Sequence, residues 1–272
     1  MMTPDPLLDG LNPQQEAAVV HEGGPLLVVA GAGSGKTRVL TRRIAYLMKK
    51  RYVNPYEILA ITFTNKAAGE MKDRVTELVG QVARSMWVST FHSACVRLLR
   101  QEATRLGYSN SFSIYDQADS LKLISLVAKD LNLDAKRYPA RQFQSIISNA
   151  KNELQGPEEF AASTTNQFEQ VVAEVYAVYQ RRLQQANAMD FDDLILKTVE
   201  VLQRFPESKA RFRSRFKHVL VDEYQDTNHA QYVLIREIVG NEAEGMPPAE
   251  LCVVGDADQS IYGFRGATLS EC

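Results

Sequence analysis

Ala30-Gly31-Ala32-Gly33-Ser34-Gly35-Lys36-Thr37 is the stretch around which the rest of the chain is organised. An apolar run, Pro25 to Val29, precedes it. An amphipathic run follows, with Val39, Leu40, Ile44, Leu47 and Met48 on one face. Strand, glycine-rich turn and helix, in that order, are the context a phosphate-binding loop requires. The glycines let backbone N–H groups converge on phosphate oxygens without a Cβ in the way. The positive end of the following helix adds to the attraction. In this reading Lys36 reaches the β- and γ-phosphates and the Thr37 hydroxyl holds Mg²⁺. One departure from the G-x-x-x-x-G-K-[ST] pattern is visible, because its first glycine is Ala30 here. A flexible Gly/Ser linker would need neither the strand before the loop nor the Lys-Thr pair that closes it.

The 272 residues are 45% hydrophobic and 24% charged, the balance of an ordinary globular protein of one large domain or two smaller ones. No apolar run approaches the roughly 20 residues that span a bilayer. Met1 to Gly10 is acidic and contains proline, which is wrong for a signal peptide. Cys95, Cys252 and Cys272 form no C-x-x-C pair, so reduced thiols in a cytoplasmic protein are expected. A net charge of −2 argues against a uniformly basic nucleic-acid binder. It leaves room for a local groove, since binding follows the distribution of charge.

Outward from the loop, Leu11 to Val19 reads as a short helix with Asn12 as N-cap and Pro13 in its first position. Gln15 there offers a donor and an acceptor suited to an adenine edge. Taken alone, it is more simply a solvated helix residue. Ile58 to Phe63 is a continuous apolar strand, as a sheet buried on both faces requires. A helix from Thr64 to a C-cap at Gly80, a strand at Met86 to Ser89 and a helix closing at Gly107 follow. This alternation is the α/β signature. Between about Phe112 and Met189 helical runs dominate, with a strand only at Phe112 to Tyr115. Asp116 and Asp119 resemble a capping pair there, Pro139 opens a second helix, and Phe168, Tyr176 and Tyr179 share the buried stripe of a long one. The α/β pattern then resumes. Asp190 caps a helix that Pro206 stops, and strands end at Asp222-Glu223 and at Gly255-Asp256. The expected organisation is an α/β domain over residues 1–111 and 190–272, interrupted by a helical domain over 112–189.

A carboxylate ending a buried strand is the second half of a nucleotide-hydrolysing site when a phosphate loop is present. Asp222 would hold Mg²⁺ opposite Thr37, and Glu223 is placed to polarise an attacking water. Without the loop, the same pair would read as a helix N-cap. Gln259 can contact the γ-phosphate or that water. Phe63, Phe91, Tyr262 and Phe264 lie near Lys66, His92 and Arg265, a mixture that suits stacking on single-stranded bases. Residue type alone leaves these aromatics open between core and stacking, whereas Trp87, inside its strand, reads as core.

In this order AGAGSGKT (30–37), ITFTNKAA (61–68), STFHS (89–93), DFDDL (190–194), VDEYQDT (221–227) and GDADQSIYGFRGA (255–267) resemble superfamily 1 DNA helicases of the UvrD/Rep/PcrA type. The resemblance covers nearly the whole chain, and Ala at position 30 is normal in that family. It implies a RecA-like P-loop NTPase domain whose parallel sheet is flanked by helices and interrupted by an all-helical insertion. ATP and Mg²⁺ are the implied cofactors. Gln15 then reads adenine, Arg38 lies near the base, and Ala30, Gly31, Ala32, Gly33, Ser34 and Gly35 cradle the phosphates with Lys36 and Thr37. Asp222 shares Mg²⁺ with Thr37. Lys36, Glu223 and Gln259 carry the chemistry, Glu223 as base and Gln259 as γ-phosphate sensor. Phe63, Thr64, Asn65, His92, Tyr262 and Phe264 fall on single-stranded DNA, with Phe264 where some members carry Trp. Implied partners are single-stranded DNA, single/double-strand junctions and a second RecA-like domain that supplies arginines to the γ-phosphate. The implied setting is DNA repair or replication in the cytoplasm, away from membranes. Because the chain stops at Cys272, just after the last motif, the expectation is a first motor domain that binds ATP without unwinding DNA. The rival is a short non-catalytic module that holds nucleotide or DNA. A P-loop kinase fits the loop but not the VDEYQD and GDADQS strands.

Overall fold

The computed structural model describes residues 5–31, 33–241, 243 and 245–256. The chain divides into two compact units. The first comprises the residues up to Ala94, Pro206–Thr227 and those from Ile235 onward, and the second comprises Cys95–Phe205 and Asn228–Leu234. In chain order, α1 (Pro13–Val20), β1 (Leu26–Val29), α2 (Lys36–Lys49), β2 (Ile58–Thr62), α3 (Asn65–Val79), β3 (Trp87–Thr90) and α4 (Phe91–Glu102) come first. Then follow β4 (Ser113–Tyr115), α5 (Gln117–Asp130), α6 (Ala140–Asn152), α7 (Pro157–Ala162), α8 (Gln167–Gln185), β5 (Ala188–Asp190) and α9 (Phe191–Arg204). The last elements among the described residues are α10 (Pro206–Arg215), β6 (His218–Val221), α11 (His229–Val239) and β7 (Glu250–Gly255). No helix among the described residues is long and apolar enough to cross a membrane.

The first unit is built on a five-stranded sheet in the order β1-β7-β6-β2-β3, with every pairing parallel. Its uninterrupted apolar strands are explained by burial: β2 is buried along its whole length, with neighbours on both sides. Leu40, Ile44 and Leu47 of α2, with Met71 and Val75 of α3, pack on Ile58, Ala60, Leu220, Cys252 and Val254 of the strands. Each fully buried side chain of this size contributes about 1.5–3 kcal/mol. Parallel pairing brings the carboxyl ends of all five strands to one edge, where open α/β sheets bind ligands. This is the expected P-loop α/β architecture.

The second unit is mostly helical. Ile124 and Val127 of α5, Phe143 and Ile147 of α6, and Val172, Val175, Tyr176, Tyr179 and Leu183 of α8 form its core. The stripe on α8 is therefore packing surface, with Tyr176 and Tyr179 fully buried and Phe168 beside them. A strand not anticipated from sequence, β5, pairs in parallel with β4, Ile114 opposite Met189. At three residues it is too short to show a period. Pro206 ends α9 as expected but also opens α10, and Pro157 opens α7. Proline is favoured at a first helical position, where its missing N–H is not needed.

The DFDDL stretch has a structural role in this unit. Asp190 is the N-cap of α9 and forms a reciprocal capping box with Asp193. Lys151 Nζ, fully buried, lies 2.7 Å from Asp190 Oδ2 and 2.9 Å from Asp193 Oδ1. The Tyr179 hydroxyl donates to Asp190 at 2.8 Å, and Gln180 Nε2 donates to both Asp193 oxygens at 3.1 and 3.0 Å.

Candidate nucleotide-binding site

The loop between β1 and α2 is anchored at its start by Ala30 N, which donates to Gly255 O at 3.1 Å and extends the β1–β7 pairing. Ser34 N donates to Gly31 O at 3.2 Å and closes the turn. Gly35 caps α2 with φ +86, a conformation in which a side chain would be strained, and a Cβ there would sit 3.3 Å from Gln15 Nε2. No side chain caps the N-terminus of α2. Its first N–H groups are therefore left for an anion. Ala32 lies outside the described residues.

Lys36 Nζ donates to Ala30 O at 3.2 Å and to Asp256 Oδ2 at 2.9 Å, both side chains being almost buried. The Thr37 side chain lies near enough to the carboxyl of Asp222, at the end of β6, to favour its charged form. Burial pushes that carboxyl up from its ordinary value, and the charge of Glu223 adds to this, against the pull of Lys36 and Thr37. A hydroxyl beside a carboxylate is a hard-oxygen donor pair. It fits Mg²⁺ that completes its shell with phosphate oxygens and water. Among the described residues no cluster of His, Cys, Asp and Glu could hold a metal without such help.

Glu223 stands in the left-handed region at φ +51, strained for a residue with a side chain. Such strain, on the order of 1–3 kcal/mol, persists only where the surroundings over-determine it. Here Glu223 N donates to Asp222 Oδ1 at 3.1 Å, and its carboxylate accepts from Gln225 Nε2 at 2.7 Å. Gln225 Oε1 in turn accepts from Asp256 N at 3.0 Å. One amide thus joins the acidic ends of β6 and β7, and through Asp256 the pair reaches Lys36. The sequence reading assigned no role to Gln225 or Asp256. The available signal was a buried lysine that needs a carboxylate at a neighbouring strand end.

Gln15 is built into the loop wall and is not a freely solvated helix residue. Its Oε1 accepts from Asn12 N at 3.0 Å, and its Nε2 donates to Ser34 O at 2.9 Å. One lone pair and one N–H remain. Arg38, exposed on the first turn of α2, points Nη2 at Asp9 O, 3.4 Å away.

The other candidates end β2 and β3 on the same edge. Phe63 is half-buried and meets Phe91 edge-to-face at 5.5 Å. Thr64 caps α3, its hydroxyl accepting from Ala67 N at 3.1 Å, and both Thr64 and Asn65 are exposed. His92 is half-buried, and burial lowers its pKa. Phe91 is a core residue, as is Trp87, which packs edge-to-face on Phe216 at 5.1 Å. Gln259, Tyr262 and Phe264 lie outside the described residues.

Set against known proteins, residues 11–272 match the UvrD/REP helicase N-terminal domain. The chain is 64% identical, over 97% of its length, to the ATP-dependent DNA helicase UvrD1 of Mycobacterium tuberculosis. It is 52% identical to the ATP-dependent DNA helicase PcrA of Bacillus subtilis and 50% identical to that of Staphylococcus aureus, again over 97% of its length. It spans 35% of the length of the first two relatives and 36% of the third.

Proposed function

The chain belongs to the UvrD/REP helicase N-terminal domain family, and on that footing we propose that its first unit is the ATP-binding part of an ATP-dependent DNA unwinding motor. The observation that carries this reading is the meeting of Lys36, Thr37, Asp222 and Glu223 at one sheet edge. On nucleotide binding, Lys36 exchanges Asp256 for the β- and γ-phosphates, and the open N-terminus of α2 takes their oxygens. Thr37 and Asp222 hold Mg²⁺, which when bound neutralises phosphate charge. Glu223 accepts a proton from the attacking water. Gln15 uses its remaining donor and acceptor on adenine, with Arg38 beside the base. Gln259 keeps the sensor role that the family implies. Single-stranded DNA runs past Phe63, Thr64, Asn65 and His92, with Tyr262 and Phe264 as further stacking faces. In the whole motor, junction unwinding in repair or replication depends on a second RecA-like domain.

For the 272 residues alone we infer slow hydrolysis. Among the described residues the cation in the cradle is Lys36, and an arginine finger of the kind assigned to the second domain contributes about 10³–10⁵ in rate. Steady-state phosphate release tests this, with and without single-stranded DNA and with Glu223→Gln as control. Turnover well below the ordinary scale of about 1–10³ s⁻¹, little stimulated by DNA and abolished by Glu223→Gln, is expected. Release no different from Glu223→Gln would favour the non-catalytic module. Fast, DNA-stimulated turnover would show that the first domain suffices.

A further inference from the structure

Among the described residues, Arg43 heads the large side chains that are fully buried, at 2% exposure. It lies on α2, whose inner face is otherwise served by Val39, Leu40, Ile44 and Leu47. A buried guanidinium is costly unless its donors are met, and its Nε has no hydrogen-bond partner among the described residues. Packing alone would be better served by Leu or Met. What Arg43 meets is the end of α1. Its Nη1 donates to Ala18 O at 3.0 Å, Val19 O at 3.3 Å and His21 O at 2.8 Å. Its Nη2 lies 3.6 Å from Glu250 Oε2, which is itself gripped by Arg51.

The last turn of α1 carries no basic residue of its own. Its orphan carbonyls and negative helix end are therefore satisfied from another helix. With eight residues, α1 is too short to hold itself in water. The segment before it is tied to the same helix, since Arg42 Nη1 donates to Pro6 O at 2.5 Å. The opposite end of α1 carries Gln15 against Ser34 O. Arg43 and Gln15 thus hold the two ends of one short rod against α2 and the loop that opens it.

We propose that Arg43 is a positioning residue for adenine recognition, fixing α1 on α2 so that the Gln15 amide stands at the base. This rests on the reading of Gln15 given above. Displacing Gln15 by an ångström breaks hydrogen bonds to the base while the phosphate cradle stays whole. The loss should therefore fall on adenine preference and spare phosphate affinity.

Calorimetric titration of the chain with the Mg²⁺ complexes of ATP, GTP and inorganic tripolyphosphate tests this in wild type, Arg43→Met, Arg43→Lys, Gln15→Ala and the Gln15→Ala/Arg43→Lys double variant. Wild type should prefer ATP to GTP. Arg43→Met should weaken ATP at least tenfold and tripolyphosphate less than twofold, with Arg43→Lys recovering part of the loss. In the Gln15→Ala background, Arg43→Lys should change ATP affinity less than twofold, because the residue it positions is gone. Equal losses for ATP and tripolyphosphate would overturn the proposal, as would a full Arg43→Lys effect without Gln15, or no effect at all. If Arg43→Met does not fold, the Arg43→Lys comparison in the two backgrounds decides by itself. A wild type that binds all three ligands but does not prefer ATP removes the adenine reading of Gln15 and this proposal with it. Loss of all three would instead point to the phosphate site.

Discussion

At Lys151 a single ammonium serves two carboxylates inside a helical core. Burial opposes its charge, yet Asp190 and Asp193 outweigh that and raise its pKa. Asp190 is held below its ordinary value because Lys151 overcomes its burial. Asp193 is held above, by its own burial and by the charge of Asp190. Lys151→Met would take from both buried carboxylates the ammonium that contacts each of them, leaving Lys197 as a more distant charge on Asp193. Removing one partner of a buried pair costs about 3–5 kcal/mol, and the urea midpoint of the second unit should fall accordingly. A change under about 1 kcal/mol would mean that water or a rearranged side chain replaces the ammonium. Residues of this kind were only half legible in the sequence. The capping function of Asp190 follows from its place before an apolar run. The lysine that pairs with it, 39 positions away, follows from nothing local. The same holds for Lys36 and Asp256, 220 positions apart: each could be read at its own element's end, but their meeting depends on the order of the strands.

Elements were read more easily than contacts, because period and caps are local. The N-cap at Asn12 and the capping pair of Asp116 with Asp119 were visible as residue types at the right place, and both form, Asn12 in a box with Gln15 that the sequence had not suggested. α7 and β5 escaped for want of length, and α10 because Pro206 was read only as the end of the helix before it. The first turn of α9 carries a further consequence. A helix N-terminus favours negative charge by about 0.3–1 kcal/mol, but Asp192 there is pushed up to about 6 by burial and by the neighbouring charge of Asp190. Burial wins. The folded chain keeps this proton at pH values where the unfolded chain, with its lower pKa, has released it. Stability therefore falls as pH rises from about 4 to about 6. Asp192→Asn should flatten that slope. It should add on the order of 1 kcal/mol at pH 7.5, after discounting for partial exposure and the lost dipole contribution, and nothing near pH 4. Thermal denaturation across that range checks it, and a variant destabilised at pH 7.5 would contradict it.

At the scale of the whole molecule, each unit has its own core, and we infer that the helical insertion, near residues 112–189, opens independently of the sheet. Amide exchange in α5, α6 and α8 should then report an opening free energy different from that of β2 and β6. A single cooperative value for all of them would argue against the boundaries. The central claim concerns the other unit, where the loop, Thr37 and Asp222 would bind ATP–Mg²⁺ with Lys36 on the phosphates. Lys36→Ala alone would take the ammonium away from the buried Asp256 carboxylate, so the clean variant is Lys36→Ala/Asp256→Asn. The most direct measurement is calorimetric titration of this variant and of the wild type with a non-hydrolysable ATP analogue and Mg²⁺. A charge-assisted hydrogen bond to phosphate contributes roughly 1.5–3 kcal/mol. The account therefore predicts binding weakened about 10- to 150-fold, with folding confirmed by circular dichroism. Equal affinity in the two folded proteins would contradict it.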